Sequence, residues 1–500
     1  MPTFTYTAAL PYPRARVFEW FTRPGALVRL NPPFAGSVVR EPSRGIEPGS
    51  TAVVGVAAPG RLGLWLGSTA ASATGLLPRS LRGLDILRPE VHWEALHTEL
   101  VPGESFTDVM TGGPLTSWTH RHLFTDGTGS GATAASTIIT DRIDYEIPRL
   151  ADNPLTRRRF ETELGRFFAF RERQLHDDLD FHAAHAVGPR TVVVAGASGL
   201  IGTQVCALLG GGGHRVLRLV RRPPRMPDEI SWDPAAGVLD DAALADCDAV
   251  VNLAGHPIGG RFTPHTKDLI LHSRVDSTAL LAAALARLSV DGRARTLVNA
   301  SAVGYYGSRP HGAVGGAAQR HATPLTEDAP AGTDFLARVC QAWEGACAVA
   351  SDAGVRVVNV RTGLVLTPAG GVLQRLLPLF VAWLGGPVGK DQWQSWIGID
   401  DIAGIYAHAV LNDAVAGPVN AVAPTPVTAD RLAKAVARAV HRPAVLKVPD
   451  FGPRLLLGKQ GAQELALADQ RISSARIEGT GYAFRDSTVE AALRHVLGSR

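Results

Sequence analysis

Gly196, Gly199 and Gly202 stand three residues apart in TVVVAGASGLIG, directly after an apolar run and directly before the helix-like segment QVCALL. That context gives each glycine a task. The first permits a tight turn out of a strand, the second lets backbone approach a pyrophosphate, and the third lets helix and strand pack closely. Backbone N–H groups and the positive end of the helix dipole then face the anion. Gly196, Ser198, Gly199, Leu200, Ile201 and Gly202 are therefore expected to hold the diphosphate of a dinucleotide. A second apolar run, HRVLRLVRR, ends in Arg221 and Arg222, where an Asp or Glu would accept from a ribose 2′-hydroxyl. Guanidinium groups suit a 2′-phosphate, so NADP is the expected cofactor. A third run, DAVVNLAG, places Asn252, Leu253, Ala254 and Gly255 at a strand end, where an open sheet contacts adenosine and diphosphate.

Carbonyl reduction beside such a cofactor calls for a Tyr, a Lys four residues later, and a Ser or Thr that positions the carbonyl. The residues four after Tyr6, Tyr12, Tyr145, Tyr305, Tyr306, Tyr406 and Tyr482 are Leu10, Arg16, Arg149, Arg309, Pro310, Val410 and Asp486. No Tyr has its Lys. The chain has only five lysines, and DFLARVCQAWE, the helix expected to carry the pair, has Phe335 and Val339 in those places. What remains is Ser301, Tyr305 and Tyr306 in SAVGYYG, with Glu327 in LTED and Arg361 in RTGLVL. Tyr305 or Tyr306 could serve as the acid, Ser301 could bond a carbonyl or hydroxyl, and Glu327 and Arg361 are expected beside the substrate. The alternative is that the tyrosines pack over the cofactor while Ser301 closes a strand end.

Other polar residues read less sharply. Lys267 and Arg274 in TKDLILHSRV fit a phosphate contact and a solvated helix face equally well. Asp400 and Asp401 precede IAGIYAHAVL and are read as helix caps, worth ~1 kcal/mol each, and not as acids or bases. His120 and His122 alternate on a strand, and Asp178, His182 and His185 recur at helical spacing. Neither set completes a ligand shell within its own motif, so no metal is expected.

The elements that must hold these residues change character near 182–190, at HAAHAVGPR. Upstream, alternating runs over 4–8, 51–56, 91–100, 105–110, 116–124 and 133–145 predict an antiparallel sheet, with helices over 14–21 and about 155–179. Downstream, near-continuous apolar runs alternate with helical segments, as a parallel sheet covered on both faces requires. The expected fold is α/β: a doubly wound Rossmann-type sheet over 190–423 with a small C-terminal lobe over 424–500, preceded by an α+β domain over 1–183.

Composition narrows the classes. Five hundred residues, 45% hydrophobic and 19% charged with mean hydropathy +0.06, exclude global disorder. A net charge of +4 without a Lys/Arg block gives no nucleic-acid surface. Four Cys without a CxxC pair read as reduced thiols. No charged-then-apolar leader opens the sequence, and no run reaches ~18 apolar residues, the 62–87 stretch being broken by Gly, Ser and Arg. A cytoplasmic protein without a membrane span is expected, with a small-molecule substrate and an oligomeric state left open.

GASGLIG, VVNLAG, SAVGYYG, RTGLVL and SWIGIDDI, in this order, resemble the extended and atypical short-chain dehydrogenase/reductase superfamily. Within it they resemble the epimerase-like family of sugar-nucleotide-epimerase-like and cell-division-inhibitor-like proteins, from about residue 190 onward. The tail through RPAVLKVP and RISSARIEGTGYAF resembles that family's small C-terminal domain, and LGGPVGKDQWQSWIGIDDI, with Trp393 and Trp396, the border of its substrate pocket. Upstream, FTYTAALPYPRARVFEWFTRPGALVRLNPPF, GPLTSWTHRHLF and DRIDYEIP resemble a START-like, polyketide-cyclase-type domain of helix-grip fold. These resemblances imply NADP-dependent oxidoreductase or epimerase-like chemistry on a small or lipid-like substrate, and a hydrophobic ligand held between the N-terminal sheet and its long helix. The missing Tyr/Lys pair keeps a non-catalytic NADP-responsive sensor open, and epimerisation by transient oxidation needs the same missing base.

Overall fold

The computed structural model describes residues 1–57, 90–127, 135–309, 323–389, 391–444 and 451–499. The 62–87 stretch and the first two residues of the expected 133–145 strand lie outside them. Contacts divide the chain into two compact units, 1–184 with 210–213 and 495–500, and 185–209 with 214–494.

Period-two alternation builds the first unit. Strands β1 (Thr3–Leu10), β2 (Gly36–Arg40), β3 (Thr51–Ala57), β4 (Glu90–Val101), β5 (Ser105–Gly112), β6 (Ser117–Asp126) and β7 (Thr137–Glu146) form one sheet in the order β1-β7-β6-β5-β4-β3-β2, antiparallel throughout. In β7, Thr137, Ile139, Asp141, Ile143 and Tyr145 point inward and alternate with more exposed residues. The helix Pro154–Ala184 buries Phe168, Leu175 and Leu179, and these meet Leu10, Phe106, Phe124, Ile139 and Ile143 of the sheet. The short edge strand β2, half exposed and five residues long, carries no alternating signal and was not expected. Among the described residues, the space lined by Tyr6, Ala8, Asp141, Phe168, Arg171 and Glu172 amounts to about 20 Å³, the room of one water.

The second unit rests on strands buried on both faces. Strands β8 (Thr191–Ala195), β9 (Arg215–Val220), β10 (Glu229–Asp233), β11 (Val238–Leu239), β12 (Ala249–Asn252), β13 (Thr296–Ala302) and β14 (Arg356–Thr362) are followed by β15 (Leu364–Leu366), β16 (Trp393–Gln394), β17 (Trp396–Gly398) and β18 (Gly417–Ala421). Eight of them form a sheet in the order β11-β10-β9-β8-β12-β13-β14-β18, parallel except for the β10–β11 hairpin. Val192, Val193, Val194, Val250 and Val251 are fully enclosed, which explains why these runs read as continuously apolar. The chain leaves β8 toward β9 and later returns to β12 on the other side. The ends of β8 and β12 therefore flank the point where strand order reverses, the place where open α/β sheets bind ligands.

The helix Pro264–Leu288 starts with Thr263 Oγ1 accepting from Thr266 N and with Pro at the first turn. By length and composition it could cross a membrane. Its Leu281, Ala282, Ala284 and Leu285 instead pack into the core formed with Val193, Val250 and Leu297.

Asp400 and Asp401 do not cap the helix Ile399–Leu411; Gly398 holds that position, and both acids lie in the first turn. The Asp401 carboxylate turns toward the tail, accepting from the Tyr482 hydroxyl (3.1 Å), Arg485 N (2.8 Å) and Asp486 N (3.3 Å). Burial pushes its carboxyl up to about 7, against the lowering pull of those N–H donors. An acid whose folded pKa is raised binds its proton more tightly when folded, so stability falls as pH rises from about 4 to about 7, by on the order of 4 kcal/mol in full. Asp401→Asn, which keeps an acceptor and drops the charge, is expected to flatten that part of the thermal midpoint–pH profile. A variant profile parallel to wild type over the same window would refute the assignment.

Candidate nucleotide site and reaction centre

After β8 the chain turns at Gly196, whose φ of +77° suits only glycine, and enters the helix Leu200–Gly211. A Cβ on Gly196 would stand 2.7 Å from the Leu253 carbonyl, and one on Gly202 would stand 2.2 Å from the Gly196 carbonyl oxygen. Both glycines thus allow close approach of backbones. Ser198 and Gly199 are exposed at the helix start, where the Gly199 N–H is taken by the Gly196 carbonyl (2.9 Å) and the helix dipole favours an anion. Leu200 and Ile201 open the helix itself. These residues fit a dinucleotide diphosphate.

Asn252 has a different part from the one expected. Its side chain is fully buried, with Nδ2 donating to Thr278 Oγ1 (2.8 Å) and Asn299 Oδ1 (3.0 Å) while Oδ1 accepts from Ala254 N (3.2 Å). Asn299 Nδ2 donates onward to Asn359 Oδ1 (3.1 Å). The amide positions the Leu253, Ala254 and Gly255 backbone opposite Gly196 and has no free arm for a ligand.

The paired guanidinium groups separate as well. Arg222 is held by both oxygens of Glu229 (2.8 and 2.6 Å), which also accepts from Arg225 N (2.7 Å). Arg221, exposed just past β9, remains the candidate for a 2′-phosphate. Of Lys267 and Arg274 on the Pro264–Leu288 helix, Arg274 lies nearer the glycine turn. It lies against Gly255, donates to the His256 and Ile270 carbonyls (3.0 Å each) and stacks on Trp343 at 5.0 Å. Lys267 sits over the Phe335 ring.

The reaction-centre candidates converge at the ends of β13 and β14, where Ser301 is the register partner of Arg361. Ser301 Oγ donates to Glu344 Oε1 (2.6 Å), and Arg361 grips the same carboxylate with two bonds of 2.9 Å. Arg361 Nη1 also donates to the Tyr306 hydroxyl and the Glu327 carbonyl, both at 3.0 Å. Tyr306 in turn donates to Asn420 Oδ1 (2.6 Å), and Glu327 Oε1 accepts from Asn420 N (2.8 Å). The Tyr305 ring lies on the guanidinium face at 3.5 Å. Burial would weaken the Arg361 charge, but the Glu344 carboxylate more than offsets this and holds its pKa above the usual range.

Sequence reasoning assembled Ser301, Tyr305, Tyr306, Glu327 and Arg361 but missed Glu344 and Asn420, which hold them together. Tyr306 is fully enclosed and bonded on both sides. Burial pushes its phenol up to about 12, against the opposing effect of Arg361 and Asn420, so it positions the others rather than supplying a proton. Tyr305, half exposed, is left as the candidate acid. Glu327 is likewise engaged, with Arg476 3.6 Å from its other oxygen. Phe335 and Val339, where a Tyr/Lys pair would stand, are buried with Ile270 and Leu336.

The fold and this cradle define a Rossmann-type nucleotide-binding protein, and comparison with known proteins agrees. Residues 192–421 match the NAD dependent epimerase/dehydratase family, and residues 448–496 match a domain of unknown function, DUF1731. An epimerase family protein of Mycobacterium leprae is 40% identical over 314 residues, covering 62% of this chain and 97% of that protein. The crystal structure of human epimerase family protein SDR39U1 (isoform 2) with NADPH is 32% identical with a TM-score of 0.53, covering 61% of this chain and 99% of that one. The crystal structure of a nucleoside-diphosphate sugar epimerase from Corynebacterium glutamicum is 32% identical with a TM-score of 0.73, covering 100% of this chain and 90% of that one. The chain belongs to the NAD-dependent epimerase/dehydratase family, among its SDR39U1-like epimerase family proteins.

Removing Glu344 would leave the Arg361 guanidinium buried without its carboxylate. Glu344→Ala is expected to lower unfolding free energy by about 3–5 kcal/mol in denaturant titration. A loss under about 1 kcal/mol would show that the pair is solvated and does not organise the site.

Proposed function

We propose that the second unit is an NADP(H)-dependent oxidoreductase of the atypical short-chain type, acting on a small or lipid-like substrate. The observation that carries this reading is the Ser301–Glu344–Arg361 network, which presents Ser301 and Tyr305 at the end of β13. The bound nicotinamide would supply or accept the hydride. Because the Ser301 hydroxyl donates to Glu344, its lone pairs are left to accept from a substrate hydroxyl. Tyr305 exchanges the substrate proton. Arg361, held by Glu344, sets a fixed positive charge against the Tyr305 ring and stabilises negative charge developing there during transfer. Arg221 takes the 2′-phosphate, and the first helix takes the diphosphate.

The first unit is proposed as a START-like helix-grip module, supported by its seven antiparallel strands and the 31-residue helix Pro154–Ala184. A hydrophobic ligand is proposed to lie between the sheet and that helix, near Tyr6, Ala8 and Phe168. We place the protein in the cytoplasm, from its four buried free cysteines. A second reading, a non-catalytic NADP-responsive binding protein, is favoured by one observation: apolar Phe335 and Val339 fill the places of the Tyr/Lys pair.

Turnover separates the two. Under the enzyme reading Tyr305→Phe is expected to lower NADPH oxidation with a panel of small aldehydes and ketones by about 100-fold or more, with calorimetric NADPH affinity unchanged. No hydride exchange by wild type from deuterium-labelled NADPH would leave the sensor reading standing. Separately, Arg221→Ala is expected to weaken NADPH by about tenfold or more and leave NADH unaffected. Equal losses for both nucleotides would remove Arg221 from the 2′-phosphate.

A further inference from the structure

Three donor residues face one another inside the first unit, far in sequence from the nucleotide motifs. Asp108 on β5 is the direct cross-strand partner of His120 on β6, and His122, two residues on, is the partner of Asp141 on β7. All four therefore lie on the covered face of the sheet. His120, His122 and Asp141 are 5, 3 and 8% exposed. Phe106 stacks on the His122 ring at 4.0 Å, and Phe168 meets His120 edge-on.

The distances sort the ring nitrogens into two sets. His120 Nε2 and His122 Nδ1 lie 2.9 and 2.7 Å from the same oxygen of Asp141, the first as a hydrogen bond and the second as a close ion-pair contact out of line for one. The opposite nitrogens, His120 Nδ1 and His122 Nε2, each stand 3.5 Å from Asp108 Oδ2. That separation is long for a hydrogen bond but suits two donors of one ion, because tetrahedral bonds of about 2.0–2.2 Å put neighbouring donors about 3.3–3.5 Å apart. A neutral imidazole has one N–H. The His120 ring bonds Asp141 Oδ1 through Nε2, which turns its Nδ1 lone pair toward Asp108; with the His122 proton on Nδ1, a second lone pair converges there with the carboxylate oxygen, and a cation relieves their repulsion. Arg171, half-buried over Phe167 and Phe168, adds a positive charge that both carboxylates feel.

We propose that Asp108, His120 and His122 bind one divalent transition-metal ion, zinc by donor type and spacing, with Asp141 fixing the His120 imidazole by a hydrogen bond and lying close behind His122. Asp108 supplies the residue that the His120–His122 motif lacks on its own strand. The site is independent of the oxidoreductase reading of the second unit.

Untagged full-length protein, stripped with chelator, is titrated with zinc by calorimetry and with cobalt by visible absorption. The expected result is one ion per chain, a cobalt spectrum of low coordination number, and a higher thermal midpoint for the loaded protein. Asp141→Asn, which keeps the shape of the side chain, is expected to weaken zinc by about 10–100-fold. The His120→Ala/His122→Ala double variant should lose both the stoichiometric ion and the zinc-dependent rise in midpoint, with unchanged far- and near-ultraviolet circular dichroism as the control for folding. If wild type takes up no stoichiometric ion, or if the folded double variant binds zinc as wild type does, the site does not exist.

Discussion

A bidentate ion pair between Arg361 and Glu344, almost closed off from solvent, is the interaction on which the reaction centre depends. A guanidinium in that position is tolerable only with a carboxylate in full contact, and Glu344 supplies it from a helix that packs beside β13. The remaining polar atoms then have somewhere to go: Ser301 to the carboxylate, Tyr306 and the Glu327 carbonyl to the third arm, and the Tyr305 ring to the guanidinium face. Asn420 closes the circuit from β18, so four parts of the chain meet around one charge.

Much of this architecture could be read in advance where the signal is local. Runs such as TVVVAG and RTLVNASA become β8 and β13 because residues shielded on both sides must all be apolar. Gly196 and Gly202 are legible because a strand–turn–helix contact excludes a side chain at short range. The illegible parts involve partners distant in sequence. Glu344 sits 17 residues before Arg361 and 43 after Ser301, with no spacing rule to join them. Arg222 illustrates the opposite error: it reads as a phosphate ligand, yet Glu229, seven residues away, captures it in an ion pair. β10 carries no signal of its own, because EISWD alternates polar with apolar residues and gains its place only by pairing with β9.

The two units handle buried polarity in different ways. In the second, charge is concentrated at strand ends, where a ligand can reach it, and the strand interiors carry no charge, their buried polarity being a row of neutral amides. In the first, imidazoles and carboxylates project from the middle of β5, β6 and β7 into the space under the long helix. The resemblance to ligand-binding helix-grip domains suggested an apolar hollow there. Among the described residues a polar centre ringed by aromatic side chains lies on that face of the sheet.

Asn252, Asn299 and Asn359 are direct register partners on β12, β13 and β14, and their amides join side to side. Such a row works as an alignment key. Sliding any one strand by a single residue would turn its amide to the opposite face and strand its neighbours' polar atoms in a dry interior. The three strands can therefore close in only one alignment, and the loops that follow them begin from fixed heights before any nucleotide arrives.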